Sequence, residues 1–276
     1  MRSQRSRTFG WLLGLALLLP AASPAAELYL AGNIGISSLT GEGTGTNNFV
    51  SLTNSGSSND SSPIYGGSLG MAFPLNEALP WRMNLPGFAV PYWPGRQLRF
   101  FGEEDWRFPD WPMRVEIEHL RGRNFDLDTD SFNALEPYRA DIDSWSVMGK
   151  FRMDLPVRAP INAIFGRVPW LDPLTIYGSG GAGLAFTDLA VSTSLLLGDD
   201  DAQEFAWQAG AGVGYQLNER VSWSVGWRFY NLGKVDTALT DTTFTPRGSY
   251  SVDLTAQEFT TSLHFAFWRF SLLGED

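Results

Sequence analysis

Between residues 144 and 157 the chain reads Ser144-Trp145-Ser146-Val147-Met148-Gly149-Lys150-Phe151-Arg152-Met153-Asp154-Leu155-Pro156-Val157. Trp145, Val147, Phe151, Met153 and Leu155 share one parity; Lys150, Arg152 and Asp154 share the other. Side chains that alternate with period two belong to a β-strand, whose successive residues point to opposite faces. The apolar face carries no charge and suits hydrocarbon, while the charged face needs an enclosed polar interior. The reverse register would place Lys150 and Arg152 in lipid, at about 2–4 kcal/mol for each cation near the bilayer midplane. The stretch therefore reads as one strand of an antiparallel transmembrane β-barrel.

Seven more segments carry the same pattern. Glu27 to Leu39 sets Leu28, Leu30, Ile34 and Ile36 against Tyr29, Asn33 and Ser37. Ile64 to Leu75 sets Tyr65, Leu69, Met71 and Phe73 outward, with Ser68, Gly70 and Ala72 inward. Met113 to Leu127 sets Val115 and Ile117 against Arg114, Glu116 and Glu118. Leu174 to Val191 is rich in glycine, at 178, 180, 181 and 183. Glu204 to Leu217 turns Phe205, Trp207, Val213 and Tyr215 outward, and Gln208, Gly210, Gly212 and Gly214 inward. Val221 to Leu232 turns Trp223, Val225, Trp227 and Phe229 outward and Arg228 inward. Leu254 to Phe267 turns Phe259, Leu263, Phe265 and Phe267 outward, with Glu258, Ser262 and His264 inward.

The fold class expected is all-β, an antiparallel transmembrane barrel of about eight strands. No segment after the N-terminus has the ~20 apolar residues of a spanning helix. Only helices and closed barrels satisfy every backbone group inside a bilayer. Residues 1–26 read as a cleaved signal peptide, with Arg2, Arg5 and Arg7 before the apolar run Trp11 to Leu19, and Ser23 and Ala25 as a small-x-small cleavage pattern. Without an Arg-Arg pair, the general secretory route is expected. Loss of those three arginines takes the net charge from −10 to −13, which argues against nucleic-acid binding. The chain has no cysteine, so neither a disulfide framework nor a thiolate metal site is available.

With the N-terminus in the periplasm, Thr40 to Pro63, Asp128 to Asp143, Ser192 to Gln203 and Gly233 to Asp253 read as long extracellular loops, polar and rich in Gly, Ser, Thr and Asp. The opposite connections should be short turns, as Asn218-Glu219-Arg220 is. Arg158 to Asp172 is longer, and the segment 76–112, with Trp81, Trp93, Trp106 and Trp111 among many prolines, is longer still. Three readings of 76–112 stand open. They are a periplasmic docking patch, an aromatic plug or flap at the barrel end, and two further strands near Phe88 to Trp93 and Gln97 to Trp106, which would make ten.

The run Phe205-Ala206-Trp207-Gln208-Ala209-Gly210-Ala211-Gly212-Val213-Gly214-Tyr215-Gln216-Leu217, followed by Trp227-Arg228-Phe229-Tyr230-Asn231-Leu232-Gly233, resembles the OmpA-like and opacity-like outer-membrane barrel proteins. Tyr177 with Gly180 to Leu184, and Arg114-Val115-Glu116-Ile117-Glu118, resemble that family's strands too. The resemblance implies eight strands, an outer-membrane location and structural, adhesive or surface-antigen roles. It also implies a terminal aromatic as assembly signal, here Phe267 or Phe270, which a tail from Ser271 to Asp276 follows.

The inward charges Glu116, Glu118, Lys150, Arg152, Arg228 and Glu258 form the main candidate constellation. An eight-stranded barrel has an interior that side chains fill, so these charges are expected to pair and close the lumen; the alternative is a gate of exchanging partners. Trp145, Trp207, Trp223, Trp227, Phe265 and Phe267 are expected as interfacial aromatics, with Trp81, Trp93 and Trp106 as further candidates. Ser262, His264 and Glu258 share a face, as a lipid hydrolase would need. Same-strand proximity is cheap, however, and no catalytic residue is assigned. His119 falls on the outward face. Asp126, Asp128 and Asp130 begin like a calcium loop, but Ser131 and Pro137 break the pattern; Asp199 to Asp201 is a second acidic group. No cofactor and no metal site is expected. The function expected is a monomeric, non-enzymatic barrel with a structural or surface-presentation role, the alternatives being a narrow gated pore and a lipid hydrolase. Its partners would be outer-membrane lipids and lipopolysaccharide, the outer-membrane assembly machinery and extracellular surfaces.

Overall fold

A computed structural model of the chain describes residues 26–48, 52–74, 88–92, 96–100, 111–129, 138–157, 169–193, 195–243 and 245–270. Ten strands occur in chain order: β1 (Ala26–Asn47), β2 (Leu52–Pro74), β3 (Phe88–Tyr92), β4 (Arg96–Phe100), β5 (Pro112–Thr129), β6 (Tyr138–Pro156), β7 (Leu174–Ser192), β8 (Leu197–Gln216), β9 (Val221–Thr240) and β10 (Pro246–Phe270). Eight of them close into a barrel in the order β1-β10-β9-β8-β7-β6-β5-β2. Among the described residues, β3 and β4 pair only with each other, from Phe88 opposite Phe100 to Tyr92 opposite Arg96. The ten-stranded reading of 76–112 is thus corrected: its two strands exist but form a separate hairpin. Trp81, Trp93 and Trp106 lie outside the described residues, as do the leader and the tail from 271.

A bilayer needs only ~9–11 residues of tilted strand, and the eight barrel strands run from 18 residues in β5 to 25 in β10. The surplus lies at the end away from the chain termini, where the alternation inverts. At the terminal end Ile34, Leu69, Ile117, Phe151, Val213, Trp223 and Phe265 stand exposed on the outside, while Glu116, Arg152 and Arg228 are buried inside. At the far end Asp141 and Asp143 are exposed on β6, while its Tyr138, Ala140 and Ile142 are buried. On β9, Val235 and Leu239 are buried while Lys234 and Asp236 are exposed. The terminal half is built for lipid, and the far half is built like a barrel in water. Among the described residues, the four expected long loops are therefore largely strand. Their polar residues alternate with apolar ones that pack inward, so a search for lipid-facing strands passes over them.

Two glycines let strands change parity. Gly122 has φ +96° and Gly233 φ +91°, a region that side chains with a Cβ avoid. Each sits at a β-bulge, where one extra residue transfers the inward face from even to odd positions. β5 therefore buries Glu116, Glu118 and Leu120 before Gly122, then Arg123, Phe125 and Leu127 after it. Phe73, expected outward on β2, is buried at 4% exposure.

Candidate functional site

The lumen is filled in two layers of opposite chemistry. In the terminal half, charged side chains from β5, β6, β9 and β10 converge. Lys150 Nζ lies 3.1 Å from Glu116 Oε1 and 3.2 Å from Glu118 Oε1. Arg228 places Nη1 2.9 Å from Glu118 Oε2 and Nε 2.7 Å from Glu258 Oε2. Asn33 and Gln208 donate to Glu118 as well, and Ser68 donates to Glu116. Removal of the charges from water is costly, but nearly every carboxylate oxygen here has a donor. Nearer the termini, Arg114 and Arg152 stand opposite each other in register. Asp154 relieves that like-charge pairing by accepting from both, at 2.8 Å each. Arg152 also stacks over Tyr177, 3.6 Å from its ring centroid. The inward glycines make room for that ring: a Cβ at Gly212 would come within 2.6 Å of the Tyr177 hydroxyl.

Above this layer, Arg123 joins Glu258 at 2.7 Å, both fully buried, with the guanidinium 4.5 Å from the centroid of Tyr230. Beyond Arg123 the interior turns apolar. Leu39, Phe125, Leu127, Ile142, Leu189, Val191, Leu232, Val235, Leu239, Tyr250 and Val252 form one buried cluster. A charged plug and an apolar core thus lie in series along the barrel axis.

All six expected lumen charges point inward, and five of them share direct ion pairs; Arg152 bonds to Asp154 and Ser224 instead. Arg123, Arg114 and Asp154 also belong to the network. Uninterrupted alternation would have put Arg123 outside, and Gly122 is the only sequence signal against that. Of the expected aromatics, Trp207, Trp223, Trp227, Phe265 and Phe267 are exposed on the outer face. Trp145 is half-buried and stacks on Phe186 at 4.0 Å between centroids.

The hydrolase arrangement does not form. His264 is buried against Tyr29, 5.6 Å between ring centroids, and among the described residues Ser262 makes no hydrogen bond to it. Glu258 is engaged by Arg123 and Arg228 instead. His119 stands on the outer face beside Trp145, 5.6 Å between rings. Asp126 and Asp128 lie within strand β5, which rules out a calcium loop there; Asp130 is outside the described residues. A shallow cavity of about 310 Å³ on the far outer wall is edged by Asp126, Asp141, Asp143, Asp188 and Asp199. Among the described residues, no group of His, Cys, Asp or Glu is arranged to hold a metal ion.

Residues 92–267 match the sequence model of the outer membrane protein beta-barrel domain. Among solved structures the chain is similar to neisserial surface protein A, with 12% identity, a TM-score of 0.39, and 88% of this chain and 99% of that one covered. It is also similar to the outer membrane protein OprG of Pseudomonas aeruginosa, with 11% identity, a TM-score of 0.40, and 88% and 98% covered. A third similarity is to Ail, the attachment invasion locus protein of Yersinia pestis, with 10% identity, a TM-score of 0.32, and 86% and 99% covered. No curated protein matches the chain.

Proposed function

This chain belongs to the outer membrane protein beta-barrel domain family, and from that premise we propose that it is a closed, non-conducting and non-enzymatic scaffold that holds a rigid surface clear of the outer membrane. It reaches the membrane by the general secretory route and works as a monomer. Its terminal end faces the periplasm, so the acidic far half and its connections stand outside the cell, at the level of lipopolysaccharide and beyond. Extracellular surfaces are the partners this arrangement suits.

The observation that carries the reading is the doubly filled lumen. An ion would have to part the Glu118–Arg228–Glu258 bridges and then cross an apolar core whose few buried hydroxyls, such as those of Tyr250 and Thr237, cannot replace its hydration shell. Stiffness follows from the same filling, because strands on all sides of the ring are tied through the interior.

The test is single-channel conductance of refolded protein in a planar bilayer, with insertion verified independently. Silence from inserted protein is the expected result. Steady openings of the unmodified protein would overturn the closed-scaffold reading in favour of a narrow gated pore.

A further inference from the structure

The hairpin of β3 and β4 has no part in the barrel and none in the function proposed above. Its register runs Phe88–Phe100, Ala89–Arg99, Val90–Leu98, Pro91–Gln97 and Tyr92–Arg96. Successive residues of a strand belong to opposite faces, and directly opposed residues of an antiparallel pair belong to the same face. The register therefore collects Phe88, Val90, Tyr92, Leu98 and Phe100 on one face, with Arg96 opposite Tyr92 at its end. Ala89, Pro91, Gln97 and Arg99 take the other face. By sequence, one face is aromatic and aliphatic, and the other is small and polar.

Such a face needs a cover, because a hairpin of two strands is marginal at best in water. Among the described residues no third strand joins it, and Pro91 lacks the N–H that a further ladder would use. Three covers are available in principle: a lipid leaflet, the terminal end of the barrel, or a soluble partner. Place in the chain favours the leaflet. β2 ends at Pro74 and β5 begins at Pro112, a few residues beyond the exposed Leu69 and Ile117 of the lipid-facing wall. The chain thus leaves and re-enters the barrel at the terminal edge of the hydrocarbon. Fully extended, residues 101–111 reach at most about 40 Å, which keeps the hairpin within range of that membrane surface. Charge favours the leaflet too. Residues 88–100 hold Arg96 and Arg99 and no acid, in a chain of 30 acidic and 20 basic residues. At the terminal end of the lumen, Arg114 and Arg152 share the single carboxylate of Asp154. That locally positive mouth repels a cationic plug and does nothing to hold one.

We propose that the β3–β4 hairpin is an interfacial foot, which lies on the anionic phospholipid leaflet at the terminal end of the barrel with the face of Phe88, Val90, Leu98 and Phe100 toward the acyl chains. That face sinks about 5–10 Å, the depth of an amphipathic element lying in the interface plane. Arg96 and Arg99 meet headgroup phosphates, and aromatic rings are at home at the same level. The free edges of the two strands stay among the headgroups, where water satisfies their backbone groups, so the rule against unpaired backbone in hydrocarbon is kept. The foot gives the chain a second hold on the membrane besides its barrel, one that depends on lipid charge. It stands whether or not the lumen conducts.

The experiment uses the full mature chain in nanodiscs of palmitoyl-oleoyl phosphatidylcholine and phosphatidylglycerol, which leave both bilayer surfaces open to solvent. The chain has no cysteine. Val90→Cys and Leu98→Cys on one face, and Ala89→Cys and Gln97→Cys on the other, therefore each carry a single nitrobenzoxadiazole label. Labels at 90 and 98 should be quenched at least about twofold more by doxyl-labelled phosphatidylcholine than those at 89 and 97, and the order should reverse for aqueous iodide. With Arg96→Gln and Arg99→Gln added, or in phosphatidylcholine alone, lipid quenching at 90 and 98 should fall at least about twofold. All these positions lie outside the eight barrel strands, and heat-dependent gel migration verifies the folded barrel in each variant. Labels at 90 and 98 shielded from both quenchers would put a protein surface over the face and overturn the proposal. Labels there open to iodide would leave the face vacant for a soluble partner and overturn it equally. Lipid quenching indifferent to both arginines and to phosphatidylglycerol would overturn the assignment to anionic headgroups.

Discussion

Arg228 Nη1 stands 2.9 Å from Glu118 Oε2, and the bridge joins β9 to β5, strands four places apart in the eight-membered ring and so on opposite sides of the lumen. A contact across the full width fixes the barrel's cross-section, which backbone ladders between neighbours cannot do alone. Arg228→Met would leave Glu118 buried with Lys150 as its remaining cation. Breaking one side of such a pair costs about 3 kcal/mol or more. The double variant Arg228→Met with Glu118→Met is expected to be more stable than the single one, because no charge is stranded. Urea unfolding in lipid vesicles measures both, and a double variant weaker than the single would show that the bridge itself, not the stranded charge, carries the stability.

Gly122→Ala tests the parity change in β5. Its backbone sits at φ +96°, where a residue with a Cβ loses about 1–2 kcal/mol. The new methyl would also lie 2.5 Å from the Pro63 carbonyl oxygen on β2. The variant should unfold at distinctly lower urea than wild type. An unchanged midpoint would mean that β5 can shift its register without cost.

Asp188 lies directly opposite Asp143 on β6 and Asp201 on β8. Like charges at facing positions destabilise a sheet. Asp188→Asn should therefore stabilise the far half by about 0.2–1 kcal/mol, more at low than at high salt, since salt screens exposed charges. Melting temperatures at two ionic strengths decide this; a gain independent of salt would point away from charge repulsion.

Asp241, in the turn after β9, accepts from the Thr243 hydroxyl and from the amides of Thr243 and Thr245. The Thr243 hydroxyl first, and then the Thr245 amide, hold its carboxyl below the ordinary carboxylate range. A depressed carboxylate contributes stability that is complete above its unfolded pKa and is lost only as pH falls through its folded one. The amide resonances of Thr243 and Thr245 should thus hold steady while pH passes through about 4, the usual aspartate value, and shift in stronger acid. Movement centred near that usual value would contradict the hydrogen-bonded turn.

The membrane-crossing half was legible in sequence because its two faces differ so sharply. Phe151 and Met153 alternate with Arg152 and Asp154, and only one register keeps the charges out of lipid. The far half was harder. Val235, Thr237 and Leu239 face inward, but Gly233 has shifted their parity from that of Arg228 and Tyr230, so no single period runs through β9. Arg123 was hidden for the same reason, displaced by Gly122 from the face its number suggests.

The inversion of polarity along each strand also fixes where the barrel can sit. Its outer surface changes from Trp and Phe to Asp141, Asp143, Asp188 and Asp201 within a few residues of the lipid edge. A carboxylate at the bilayer centre costs on the order of 2.5–3.5 kcal/mol, and a slide that drew the far half into the bilayer would immerse several at once. The acidic collar therefore works as a rivet head: forces pulling toward the terminal end are resisted by hydration of the carboxylates, independently of any covalent or protein anchor.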